Sequence, residues 1–365
     1  MKIKEVETKE EVKKVEKVQK VKERLSNFEL LRIVLILMVI TLHYLHSKMG
    51  GALNIKNIAS GEVNYYLSRI IESACIIAVN CFVLITGYFM HDKKEIKIGK
   101  VLELFIIVFF YNITIYLLGI CFNNVQFSKE TFITFIKDFT TGGPWFLYTY
   151  AILYLMIPFI NIVINNCNKK QLKILISILL IFFSIWPTFI SNITVKDNGY
   201  GIINFIILYI IGAYIHIYRK DSKNKKSTYI LIYVLMTALT YLGCINSFEM
   251  SFAYNSIFNI ISSISFFLIF KDIKFKSNII NKLANHTFGI YIIHVNTFLI
   301  PLFWKTILHT DLFYKSKFFI LHLIGSVITT YLLCLTIDWI RTNIFKFVID
   351  KKIKKTKLYN YTINI

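Results

Sequence analysis

Apolar positions along this chain gather into long runs separated by short polar segments. Ten runs can be delimited, at roughly 28–46, 70–90, 101–121, 146–164, 172–190, 201–217, 228–246, 252–270, 288–304 and 319–340. A helix rises 1.5 Å per residue, so runs of about 17 to 25 residues cross a hydrocarbon layer ~30 Å thick. The pattern predicts an all-α, polytopic membrane bundle of about ten transmembrane helices. The run at 201–217 is short, and the boundary between 228–246 and 252–270 is weakly marked.

Charge tests the count. With ten spans, the segments on the side of the N-terminus carry 32 Lys/Arg and those on the other side carry 9, with Arg32 inside the first span. Such a split is what positive-inside insertion produces, and it predicts both termini in the cytoplasm. The net charge of +21 is therefore read as topology. No aromatic-interleaved basic groove points to nucleic acid. Hydrophobic residues make up 56% of 365 and mean hydropathy is +0.58, which excludes a soluble domain of this size. Three units are expected: a basic/acidic cytoplasmic segment 1–27, a transmembrane domain 28–345 and a basic cytoplasmic tail 346–365.

Residues 1–27 hold nine Lys/Arg, interspersed with glutamates and with Val6, Val12, Val15, Val18 and Val21. This is the pattern of a solvated or lipid-surface helix that keeps the N-terminus inside. The charged stretch is too long for a signal peptide, and no small-residue cleavage site follows it. The six cysteines lie in or beside spans without metal-ligand spacing and read as ordinary thiols. No metal site is expected.

Candidate chemistry begins in the first span. Arg32 and His43 are separated by ten residues, which returns them to nearly one helix face, roughly 16 Å apart along the axis. An ionisable residue in a span marks a functional site by default. Glu29 can pair with Arg32 three residues on. Glu72, near the far end of the antiparallel second span, falls at the depth of His43 and is placed to orient an imidazole. The second span continues through Phe82-Val83-Leu84-Ile85-Thr86-Gly87-Tyr88-Phe89 into a turn holding Lys93, Lys94, Lys97 and Lys100.

These features resemble the membrane-bound acyltransferase family 3, which includes many polysaccharide O-acetyltransferases. The Arg, ten residues, then His of the first span is that family's signature. The stretch ending Thr86-Gly87-Tyr88-Phe89 is similar to its aromatic-rich Ser-Gly-Tyr/Phe segment, with Thr86 keeping the hydroxyl. Trp145-Phe146-Leu147-Tyr148 leading to Pro158, Phe288-Gly289-Ile290-Tyr291-Ile292-Ile293-His294 and Ile337-Asp338-Trp339-Ile340-Arg341 continue the resemblance in the same order. No appended hydrolase-like domain is visible, so chemistry must occur within the bundle.

The resemblance implies transfer of an acyl group, acetyl in the typical member, from acyl-CoA to a hydroxyl of a surface glycan. Acetyl-CoA would be a substrate rather than a bound cofactor, and the cell membrane the location. In this reading His43 is the general base and Arg32 the cation for the donor's phosphates, since imidazole and guanidinium suit those tasks. Lys93, Lys94 and Lys97 would add charge at the donor's entrance, or serve only as topology determinants. Tyr88, Trp145, Tyr291 and His294 are candidates for contacting substrate. For Trp145 an interfacial anchor is the competing role, and for His294 a hydrogen-bonded core histidine. Two other classes stay open: a transporter of glycan precursors or acyl groups using Arg32 and His43 as relay residues, and a membrane scaffold without catalysis. Paired Gly/Pro-broken helices, the mark of many transporters, are not evident in the sequence. The acceptor and the oligomeric state are not legible in it.

Overall fold

In the computed structural model, residues 24–122, 124–140, 143–190, 197–219, 226–348 and 353–364 are described. Residues 1–23 of the expected surface helix (1–27) and residues 349–352 and 365 of the basic tail (346–365) lie outside them. The helices are α1 (Ser26–Leu45), α2 (Val63–Cys75), α3 (Ala78–Met90), α4 (Ile98–Cys121), α5 (Lys129–Thr140), α6 (Trp145–Asn166) and α7 (Lys169–Phe189). They continue with α8 (Ile202–Tyr218), α9 (Lys226–Ile245), α10 (Ile257–Lys271), α11 (Asn278–His294), α12 (Leu299–Ile307) and α13 (Phe319–Val348). The protein is a helical membrane bundle.

Each apolar run falls mostly on helix, yet the runs are not ten equal spans. Seven helical stretches among the described residues are individually long and apolar enough to cross a bilayer, and α11 with α12 makes an eighth that bends by 99° at its break. The helices α8 and α10 are only 17 and 15 residues long. Burial explains how they can be short. Helix ends enclosed by protein find partners there, so they need not reach the bilayer surface. Tyr254 N–H donates to Asn198 O at 2.8 Å, Asn80 Nδ2 to Tyr254 O at 2.8 Å, and Asn259 Nδ2 to Ser251 O and Ala253 O at 2.9 and 2.8 Å. Residues 252–256, apolar enough to read as the start of a span, are thereby folded as a loop into the bundle.

Helix α1 is the central element, packed against α2, α3, α10, α11 and α13. Leu31, Leu35, Ile40 and Leu45 are fully buried, as expected of a helix apolar on most sides. Glycine permits one unusually close crossing. A Cβ on Gly87 would lie 2.1 Å from Tyr209 O, and one on Gly212 2.4 Å from Leu84 O, so α3 and α8 touch backbone to backbone. The turn after α3 forms strand β1 (Glu95–Lys97), paired antiparallel with β2 (Thr362–Asn364). Through this pairing the C-terminal segment is fastened to the face that carries most of the Lys/Arg, hereafter the basic face.

Candidate active site

A cavity of about 1010 Å³ runs through the bundle beside α1, at the upper end of the range for small-ligand sites. Its basic end is lined by Arg24, Glu29, Arg32 and Asn285, its middle by Ile36, Val39, Thr86 and Tyr150. The opposite end holds His43, His46, Arg69, Glu72, Trp145, Tyr200 and Tyr254, with Tyr291 also on the wall. The helical spacing of Arg32 and His43 thus translates into two groups facing one space.

At the basic end the Arg32 guanidinium donates to both oxygens of Glu29, at 2.9 and 3.1 Å. The two partners differ in environment: Arg32 is 34% exposed and Glu29 only 7%. Arg24, just before α1, donates to Asn281 O at 3.3 Å and to the Asn285 side chain. Two guanidinium groups therefore stand at this mouth, one held by a carboxylate and one by neutral oxygens.

The centre of the site is a histidine pair. His43 Nδ1 lies 2.8 Å from His294 Nε2, and His294 Nδ1 lies 2.6 Å from Ile290 O. A carbonyl oxygen only accepts, so His294 Nδ1 carries the hydrogen and, in the neutral ring, Nε2 is an acceptor. His43 Nδ1 must then be the donor to His294, which leaves the lone pair of His43 Nε2 unspent. The polarity of the chain is fixed by one backbone carbonyl. His294 is fully buried and ends α11 where the helix breaks, so its ring is held both by its own helix and by His43.

The position of α11 is itself enforced. Asp338 on α13 accepts from Tyr111 O–H at 2.6 Å and from Arg341 Nε at 2.8 Å, and its other oxygen meets His286 Nδ1 at 2.6 Å. Asp338 is fully buried, a location tenable for a carboxylate only when hydrogen-bonded and paired. Gly289 makes the approach possible, since a Cβ there would lie 1.8 Å from Asp338 Oδ1. The Ile337–Arg341 stretch thus braces the helix that presents Tyr291 and His294.

Past the break, Asn296 Nδ2 donates to Asn112 Oδ1 at 3.0 Å and Thr297 Oγ1 to Asp138 Oδ1 at 2.9 Å. All four side chains line the cavity, and Asn112 Nδ2 and Asp138 Oδ2 have no hydrogen-bond partner among the described residues. Burial pushes the Asp138 carboxyl above its usual range, against the opposing hydrogen bond from Thr297. At the same end, burial and the charge of Lys48 hold His46 below the usual imidazole value.

The residues singled out from the sequence divide clearly. Arg32, His43, Glu72, Trp145 and Tyr291 line one cavity, and His294 adjoins it through His43. Glu72 makes no hydrogen bond to His43 among the described residues; that place is taken by His294. Tyr88 packs away from the cavity, 4.5 Å from the His216 ring and 5.0 Å from that of Phe28. Lys93, Lys94 and Lys97 lie exposed on the turn and on β1, not on the cavity wall. Arg24, Asn112, Asn285 and Asp338 were not anticipated. Asp338 lay within a recognised stretch, but nothing in the sequence tied it to His286.

Fold and cavity define a multi-pass membrane protein with a buried, histidine-centred site. The family described as Acyltransferase domain, the acyltransferase family 3 of the motifs above, matches residues 25–339, and the chain belongs to it. Neither a curated protein nor a solved structure matches the chain. Membership makes this a membrane acyltransferase.

Proposed function

We propose that the protein is an O-acyltransferase of the cell membrane that moves an acyl group, acetyl foremost, from acyl-CoA to a hydroxyl of a surface glycan. The observation that carries this reading is His43 Nε2, which has no hydrogen-bond partner among the described residues and is oriented by His294 in a cavity that leads back to Arg32. The basic face takes up the donor from the cytoplasm, where Arg32 meets the phosphates with a planar fork of donors. Arg24 adds a second cation there, and Lys93, Lys94 and Lys97 add a field on the same face that draws an anionic donor.

In the transfer step the acceptor oxygen attacks the thioester carbonyl while His43 Nε2 removes its proton. The C–S bond then breaks, and the departing thiolate takes the proton back from the His43 imidazolium. The products are an ester and free coenzyme A, with His43 restored. During the step the imidazolium keeps its Nδ1–H on His294 Nε2, so no ring has to reorient. Labelled acetyl-CoA supplied to purified membranes should transfer label to glycan with the wild type and not with His43→Ala; equal labelling by both would overturn the assignment.

Transport is the second reading, favoured by the broken span α11–α12. Transporter folds commonly break helices in matching positions of two halves, whereas one pair alone bends beyond 40° at a short break among the described residues. Measured glycan-bound label separates the two, since a transporter moves its cargo without forming an ester.

A further inference from the structure

The end of the cavity away from the basic face contains an acidic side chain that the transfer step does not use. Glu72 is 8% exposed, and its Oε2 is buried with no hydrogen-bond partner among the described residues. The nearest cation on its own helix acts on it through charge but makes no hydrogen bond to it among the described residues. Arg69 donates to Tyr65 O, Ser68 Oγ and Leu53 O at 3.2, 3.3 and 3.3 Å, and its guanidinium lies 3.5 Å over the Tyr65 ring. A buried carboxyl oxygen without a hydrogen-bond partner is costly to maintain. On the wall of a cavity it is completed by donors that arrive with a ligand.

Three aromatic rings line the same end. The Trp145 ring lies 4.5 Å from Tyr200 and 5.6 Å from Tyr254, and those two lie 5.1 Å apart. Tyr254 is buried and Trp145 half-buried. The cluster is anchored from the bundle, since Tyr254 O accepts from Asn80 Nδ2 and Tyr200 O from Thr149 Oγ1 at 3.2 Å. A pyranose ring has a C–H face that packs on aromatic surface and an edge of hydroxyls that donate to a carboxylate. Few other ligands need a stacked aromatic wall and an unspent carboxylate together.

We propose that Glu72, Trp145, Tyr200 and Tyr254 form the subsite for a pyranose ring of the acceptor, with a pair of sugar hydroxyls donating to Glu72. This assignment rests on the O-acyltransfer reading. Glu72 is then a binding group, while the orienting role beside His43 belongs to His294. Tyr200 and Tyr254 come from the loops preceding α8 and α10, so the two short helices exist in part to hold this wall.

The test uses full-length protein in lipid nanodiscs and, as probes, labelled acetyl-CoA and surface polysaccharide freed of acetyl by alkali. Glu72→Gln preserves shape but replaces one carboxyl oxygen with an amide group that only donates, which should raise KM for the polysaccharide about tenfold. Trp145→Leu should do the same, and for both variants KM for acetyl-CoA should stay within twofold of wild type. Binding of oligosaccharides cut from that polysaccharide, followed by calorimetry without donor, should weaken in parallel. Unchanged binding and polysaccharide KM in both variants would overturn the subsite. A loss confined to kcat in Glu72→Gln would also overturn it, and would return Glu72 to the proton-transfer step. Should wild type bind the oligosaccharides yet transfer no acetyl, the functional reading fails while the subsite stands. Absence of wild-type binding sinks the subsite alone if transfer persists.

Discussion

The two ends of the cavity recognise charge in opposite ways. At the basic end every charge has an answer in the protein: Arg32 with Glu29, Arg24 with Asn285. Arg32 is also partly exposed and meets Glu29 through Nη1 alone, so an incoming polyanion can take its other guanidinium N–H groups while the buried Glu29 keeps its partner. At the opposite end Glu72 is enclosed and unanswered among the described residues, beside three aromatic rings. The first arrangement suits a soluble, highly charged donor that must enter and leave. The second suits a neutral ligand selected by shape and directed hydrogen bonds. Between them stands the His43–His294 pair, whose hydrogen-bond direction is fixed by the carbonyl of Ile290, and the proposed chemistry is placed there.

The largest expected effect comes from removing that centre. His43→Gln keeps hydrogen bonding but cannot take a proton, so acyl transfer should fall by about 10² to 10⁴, equivalent to about 3 to 5 kcal/mol of transition-state stabilisation. Donor and acceptor binding should persist. In wild type the base must be unprotonated to act, so kcat should rise with pH through one titration, and that rise should vanish from the residual activity of the variant. A Gln variant with most of its activity would make the two ends parts of a binding protein with no catalytic middle.

A smaller effect is expected one residue further from the reacting atoms. His294→Ala removes the acceptor that holds His43 in one tautomer and orientation, a role whose loss lowers rate without removing the base. The expected change is a fall in kcat of about 10 to 10², with both KM values nearly constant, and with partial recovery in His294→Gln, whose side-chain oxygen can accept from His43 Nδ1. A loss as deep as that of His43→Gln, with no recovery, would make His294 the base and reverse the chain.

Much of this was readable from residue order because it is local. Arg32, His43 and Glu29 lie on one helix, and helical geometry alone sets their relative positions. The bundle class followed from apolar run length, and the segment from Phe82 to Phe89, read as part of a family resemblance, reaches the cavity through Phe82, Ile85 and Thr86 rather than through Tyr88. What was not readable depends on rotation and on pairing across the bundle. Residues 43 and 294 meet across 251 positions, and the turning of α2 that gave Glu72 an aromatic neighbourhood rather than His43 is set by packing. The span expected over 252–270 begins later than its apolar run for a related reason. Tyr254 and its neighbours are apolar, but Asn80 and Asn259 hold their backbone as loop, and an asparagine on one helix does not announce which carbonyl on another it serves.

Arg32 sharpens the comparison from the basic side. If this end recognises phosphate, Arg32→Ala should raise KM for acetyl-CoA about tenfold, a partly exposed charge-assisted contact giving less than a buried one. Arg32→Lys should recover part of it, because charge returns without the bidentate fork. Polysaccharide KM should not move in either variant. The opposite outcome, unchanged donor KM in both, would leave Arg32 as an anchor at the membrane surface and shift donor binding to Arg24.

The smallest effect on activity, and the condition on which both ends depend, is orientation. The 32-to-9 distribution of Lys/Arg predicts a cytoplasmic basic face, with Ser60 outside and Lys274 inside. Both residues are exposed and neither lines the cavity, so Ser60→Cys and Lys274→Cys, in a variant freed of native cysteines, should leave transfer rates close to the parent. In intact cells an impermeant thiol reagent should label position 60, and position 274 only after the membrane is opened. The reverse labelling would turn the molecule over. It would place His43 and the aromatic wall toward the cytoplasm and Arg32 outward, where no acyl-CoA is made, and the assignment of donor to one end and glycan to the other would have to be abandoned even with every distance in the cavity unchanged.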